Sequence, residues 1–201
     1  MIQQKAEEYL QKLSELMLAA EVSDGNGGAL TLNEGAEQAV QMILSVGSNS
    51  RKIMLVGNGG SSSVVSHVQN DLCKAVGVRA MVFTEQPLLT ALANDHGYET
   101  AYERPVEWWA EPGDLLLAVS SSGKSENILR AVRAALDRGC QVITFSGFGP
   151  DNPLRRMGEL NFYVSSDVYG HVETSHAGIT HFLTDRAMTI MRSKPDAQVG
   201  V

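Results

Sequence analysis

Apolar positions near the start of this 201-residue chain recur at helical spacing. Ala6, Leu10, Leu13, Leu16 and Met17 are interleaved with Lys5, Glu7, Glu8, Lys12 and Glu15. That pattern predicts an amphipathic helix to about Val22, and its charges set it apart from a secretory leader. Ser23 to Gly28, reading SDGNGG, predicts a loop with a small hinge role. A second helix is expected from Thr31 or Asn33, either of which can cap it, to about Val46.

From residue 51 the texture changes, and short aliphatic runs alternate with helical ones. Strands are predicted at Lys52 to Val56, Arg79 to Phe83, Asp114 to Val119, Gln141 to Phe145 and Asn161 to Val164. Helices are predicted from the GNGGSSS segment to about Val76, at Leu88 to Asn94, after SSSGKS to about Arg138, and over roughly Val172 to Met191. Continuous apolar strands, each followed by a helix, indicate a parallel sheet covered on both faces. The expected fold is therefore α/β, a three-layer, flavodoxin-like sandwich on a five-stranded, mainly parallel sheet. A helical pair over residues 1–50 precedes the domain at 51–193, and 194–201 form a flexible tail.

Composition narrows the classes. The chain is 43% hydrophobic and 19% charged, enough for a sizeable core. No apolar run reaches the ~18 residues that span a bilayer, so no membrane association is expected. A net charge of −7 argues against a broad nucleic-acid surface. Two cysteines, Cys73 and Cys140, make no disulfide framework, and both read as small buried apolar residues. A cytoplasmic location is expected.

Two segments carry chemistry, Gly57-Asn58-Gly59-Gly60-Ser61-Ser62-Ser63 and Ser120-Ser121-Ser122-Gly123-Lys124-Ser125. Each leaves a predicted strand and enters a helix. Glycines let backbone N–H groups approach a ligand, serines add hydroxyl donors, and the helix dipole favours an anion. Ordinary turn and capping roles are the competing reading for either alone. Neither fits GxxxxGK[ST] or GxGxxG with its acidic residue, which argues against nucleoside triphosphates and dinucleotides and leaves a small phosphoester.

His67 and Asp71 lie one helical turn apart on one face, suiting a metal or an acid–base pair as well as a plain surface pair. Glu173 and His181 would stand roughly 12 Å apart along a helix. They could share a metal only through reaching side chains, or if Glu173 precedes the helix. His96, His171 and His176 read as hydrogen-bonding residues. Trp108 and Trp109 are expected to pack under a helix or at a subunit boundary.

VGNGGSSS at 56–63, ALANDHGYE at 91–99 and GDLLLAVSSSGKSENILRAVRAALDRGCQVITFSG at 113–147 resemble the sugar isomerase (SIS) domain family, specifically the phosphoheptose isomerases. The resemblance implies a SIS fold and isomerisation of sedoheptulose 7-phosphate to D-glycero-D-manno-heptose 7-phosphate. It also implies a homotetramer with active sites at subunit boundaries and one zinc ion per subunit. By the same resemblance, Ser61, Ser120, Ser122 and Ser125 hold phosphate, Asn58 and Asp95 face the sugar, and Gly59, Gly60, Asn94, Ser121 and Glu173 also bind substrate. His171 falls where a polar neighbour of the substrate is common.

The family's metal and catalytic pattern of histidine, glutamate, glutamine and histidine falls on His67, Asp71, Glu173 and His181. Asp71 and His181 then take the acid–base roles. The shorter Asp71 and the carboxylate of Glu173 depart from that pattern. They leave two alternatives: a non-catalytic phosphosugar-binding or partner-binding SIS protein, or an isomerase of another phosphosugar.

Overall fold

The computed structural model describes residues 5–193; the tail expected at 194–201 lies outside them. Helix α1 (Ala6–Leu18) stops short of Val22, because Glu21–Asp24 (β1) and Ala29–Leu30 (β2) form an antiparallel hairpin. The expected loop over 23–28 is the turn of this hairpin at 25–28, with Ser23 and Asp24 belonging to β1. Asp24 closes the turn, its Oδ1 accepting the N–H groups of Asn26 at 2.9 Å and Gly28 at 2.8 Å. Strands of four and two residues carry too little alternation to be read from sequence. Helix α2 (Leu32–Ser48) starts at a Thr31–Glu34 capping box, the Thr31 hydroxyl accepting the Glu34 N–H and the Glu34 carboxylate accepting the Thr31 N–H.

The layered region follows as β3 (Ile53–Gly57), α3 (Gly60–Asp71) with a π-helical turn at Leu72–Val76, and β4 (Ala80–Val82). Next come α4 (Gln86–His96), α5 (Glu103–Trp109), β5 (Leu115–Ser120) and α6 (Glu126–Asp137). The last elements are β6 (Gln141–Gly147), β7 (Leu160–Val164) and α7 (Tyr169–Arg192). Helix α5 was not expected; it is only seven residues long and carries Pro105 in its first turn.

The sheet has seven strands in the order β2-β1-β7-β6-β5-β3-β4. Its five parallel strands, β3 to β7, are the five expected, and the hairpin adds two antiparallel ones on β7. The period-2 alternation of side chains explains the layers. Ile53 and Leu55 of β3 point into a core shared with α2, α3 and α7, and Met54 and Val56 point into one shared with α5 and α6. Trp108 and Trp109 lie largely exposed at the end of α5 instead of under a helix, and Cys73 is exposed, whereas Cys140 is buried. Among the described residues no helix is long and apolar enough to cross a membrane.

For the site, the key point is that β3 and β5 are adjacent and in register, Gly57 opposite Val119. Both serine-rich turns therefore emerge side by side from the carboxyl edge of the sheet, where open α/β folds bind ligands.

Candidate functional site

A cleft of about 400 Å³ lies between the two turns, lined by Asn58, Gly59, Gly60, Ser61, Ser120, Ser121, Ser122, Ser125, Tyr169 and Glu173. Gly59 supplies the turn into α3 with φ +54°, a conformation that disfavours a side chain. Gly60 allows α7 to close in, since a Cβ there would fall 2.2 Å from a Glu173 carboxylate oxygen.

Asn58 is locked in place by a reciprocal amide pair with the buried Asn127 of α6, both bonds 2.9 Å long. Its Oδ1 also accepts the Tyr98 hydroxyl at 2.8 Å. Below it, the Tyr102 hydroxyl donates to the Gly57 carbonyl at 2.7 Å, and burial pushes that phenol up to about 12.

The second turn folds on its own hydroxyls. Ser120 Oγ accepts the Gly123 N–H at 3.2 Å and lies 3.4 Å from Ser125 Oγ, while Ser122 Oγ accepts the Lys124 N–H at 3.2 Å. Ser125 stands at the N-cap of α6 without a capping bond from its side chain. Ser121 Oγ is buried and has no hydrogen-bond partner among the described residues. A buried hydroxyl left unpaired on a residue that lines the cleft is a candidate donor to a ligand oxygen.

Residues 67, 71 and 181 form a separate group on α3 and α7. Asp71 Oδ2 lies 3.6 Å from His67 Nε2 and 3.4 Å from His181 Nδ1, and the imidazoles meet edge-on at 4.9 Å between centroids. One donor atom from each residue falls within 4.8 Å of the other two. Two imidazoles and a carboxylate are a donor set that suits zinc, so these side chains fit the expected ion.

Glu173, the fourth expected ligand, stands outside this group and packs on Gly60 in the cleft. Asn94 and Asp95 do not line the cleft either. Both are exposed on α4, where the Asn94 amide donates to Asp95 at 2.8 Å. The two residues that the family resemblance assigned to the substrate thus point away from the cleft of this chain.

None of the other histidines lines the cleft. His176 is fully buried; its Nε2 donates to the Ser146 carbonyl at 3.0 Å, and burial pushes its pKa down to about 4. His171 is buried against Tyr9 at 4.5 Å between centroids and does not line the cleft. His96 is exposed. Sequence reasoning missed Tyr169, a lone tyrosine at a helix start, and Asn127, whose partner is 69 residues away.

Comparison with known proteins agrees with this geometry. The SIS domain model matches residues 28–147. A phosphoheptose isomerase of Bordetella avium is 33% identical over 168 residues, covering 77% of this chain and 82% of the relative. One from Aliarcobacter butzleri is 31% identical over 157 residues, covering 75% and 82%. Among solved structures, a phosphoheptose isomerase from Francisella tularensis superposes with a TM-score of 0.79 at 25% identity, over 92% of this chain and 96% of the other. One from Neisseria gonorrhoeae gives 0.74 at 28%, over 78% and 87%. The chain belongs to the SIS domain family, in the branch that holds the phosphoheptose isomerases.

Proposed function

We propose that the protein is an aldose–ketose isomerase that converts sedoheptulose 7-phosphate to D-glycero-D-manno-heptose 7-phosphate. One observation carries this reading: α3 and α7 each contribute both to the serine cleft, through Gly60 and Ser61 and through Tyr169 and Glu173, and to the acid–base group, through His67 and Asp71 and through His181.

In this mechanism Ser120, Ser121, Ser122 and Ser125 hold the phosphate with backbone N–H groups, and that remote binding orients the reacting end. The Asp71 carboxylate takes the proton from one of C1 and C2 and returns it to the other. His181 moves the proton between O1 and O2. A zinc ion held by His67, Asp71 and His181 would supply Lewis-acid polarisation of the carbonyl. The exposed apolar side chains of α1 and α7, Leu10, Leu18 and Phe182, support assembly into a homotetramer, and a cytoplasmic location fits such an enzyme.

The test is to incubate purified protein with sedoheptulose 7-phosphate, with and without added zinc, and to assay the aldose. Asp71→Asn is expected to lower kcat ~10²–10⁴-fold. Asp71→Glu, which extends the carboxylate by one methylene, is expected to raise kcat by up to ~10²-fold if reach is limiting. Tight sedoheptulose 7-phosphate binding without turnover in any of these forms would replace the isomerase reading with a phosphosugar-binding one. Turnover of a different phosphosugar alone would reassign the substrate.

A further inference from the structure

Tyr169 opens α7 and lines the cleft, yet its side chain is left 61% exposed in surroundings otherwise made of serine, glycine, asparagine and glutamate. It is supported from behind. Its ring meets that of Phe148 edge-on, 4.8 Å between centroids and 78° between planes.

Phe148 is itself unusual, holding φ at +56°, a left-handed conformation that bulky residues avoid. The backbone there is pinned on both sides. The Phe148 N–H donates to the Ser166 carbonyl at 2.9 Å, and its carbonyl accepts the Tyr163 hydroxyl at 2.7 Å. A glycine would hold this turn without strain, so the aromatic side chain is retained against the local backbone preference. Strain held in place by surrounding contacts is a pointer to function. Four residues along α7, on the same helix face, Glu173 lies against Gly60.

Building on the phosphosugar reading, we infer that Tyr169 is a specificity-determining residue. Its ring packs on the carbon chain of the sugar phosphate, and Phe148 acts as a positioning residue that fixes the angle of that ring. The serine turns then recognise the phosphate alone, and the aromatic wall recognises what is attached to it. A ring face supplies apolar contact to C–H groups, and the adjacent carboxylate of Glu173 can accept from hydroxyls.

The experiment compares Tyr169→Ala, Tyr169→Phe and Phe148→Gly with the unaltered chain. It measures KM and kcat for sedoheptulose 7-phosphate and, separately, the Kd for inorganic phosphate by calorimetry. Tyr169→Ala should raise KM about tenfold and leave the phosphate Kd within about twofold. Tyr169→Phe keeps the ring and should avoid most of the rise in KM expected of Tyr169→Ala. Phe148→Gly relieves the backbone but removes a ring packed against the core, so its folding is checked by circular dichroism, and it should raise KM in the same direction as Tyr169→Ala with phosphate binding retained.

An unchanged KM in Tyr169→Ala overturns the inference. So does an equal loss in Tyr169→Phe, which would place recognition on the hydroxyl, or a parallel loss of phosphate binding in Tyr169→Ala. Failure of the unaltered chain to bind phosphate would instead overturn the cleft assignment on which the inference rests. If that chain binds but does not turn over, the Kd for sedoheptulose 7-phosphate takes the place of KM.

Discussion

The turn after β3 commits its side-chain polarity inward: both ends of the Asn58 amide are bonded, to Asn127 and Tyr98. The turn after β5 bonds mostly to itself and leaves Ser121 Oγ buried without a partner. As strings, both are glycine and serine between a strand and a helix. As structures, the first is a strut tying α6 to β3 and the second, on the proposed reading, is the receptor for the phosphate. The difference lies in which donors are already satisfied within the fold.

Four measurements would break or sharpen that contrast. The largest effect is expected at Gly123, which holds φ +62° and whose added Cβ would meet Asn152 Oδ1 at 2.0 Å and Asn152 Cβ at 2.8 Å. Asn152 is buried and its amide holds the Gly147 and Gly149 carbonyls, so the neighbour has little room to yield. Gly123→Ala should cost about 3 kcal/mol in a denaturant titration. A loss under about 1 kcal/mol would show that the receptor turn is softer than drawn.

A similar magnitude is expected from acid. His176 anchors the end of β6, which lies under the second turn, since a Cβ on Gly147 would come within 3.0 Å of the Ser121 carbonyl. Its folded-state pKa near 4 lies below its ordinary 6.5, so the unfolded chain binds more protons between those values. This contribution to stability is complete above the ordinary value and declines as pH falls toward 4, by about 3 kcal/mol. His176→Leu should flatten that slope in acid denaturation curves, and an unchanged slope would exclude this histidine as the cause.

Third, Asn127→Ala strips the strut of its partner and leaves the Asn58 amide half-bonded. A stability loss of about 1–3 kcal/mol is expected, read as a lowered melting temperature. Fourth and smallest in stability is Ser121→Ala, which removes a hydroxyl that bonds to nothing in the fold. The melting temperature should hold within about 0.5 kcal/mol of stability while phosphate affinity falls about tenfold. If Ser121→Ala destabilised as much as Asn127→Ala, the distinction between strut and receptor would be lost.

The parts of this molecule that a reader could extract from sequence are those written in neighbouring residues. The five parallel strands announce themselves as apolar runs, and the cleft's glycines and serines follow two of them directly. The His67–Asp71 pairing is likewise a matter of helical spacing. What escaped reading is assembled across distance. The Asn58–Asn127 lock joins β3 to α6, Glu173 reaches the cleft because Gly60 has no side chain, and Tyr169 matters through Phe148 beneath it. Asn94 and Asp95 illustrate the converse, since a motif that resembles the family's does not by itself aim its side chains at the cleft. The hairpin at 21–30 failed for another reason: Val22 fits the apolar rhythm of the preceding helix as well as that of a strand.

That hairpin has a consequence for how the protein behaves in concentrated solution. Without it, β7 would be the rim of the sheet, five residues long and apolar at four positions, with backbone groups free to pair with another chain. Strand β1 occupies those groups, and the sheet instead ends in the two-residue β2, too short a template for edge-to-edge growth. The hairpin thus guards the molecule against aggregation at this edge.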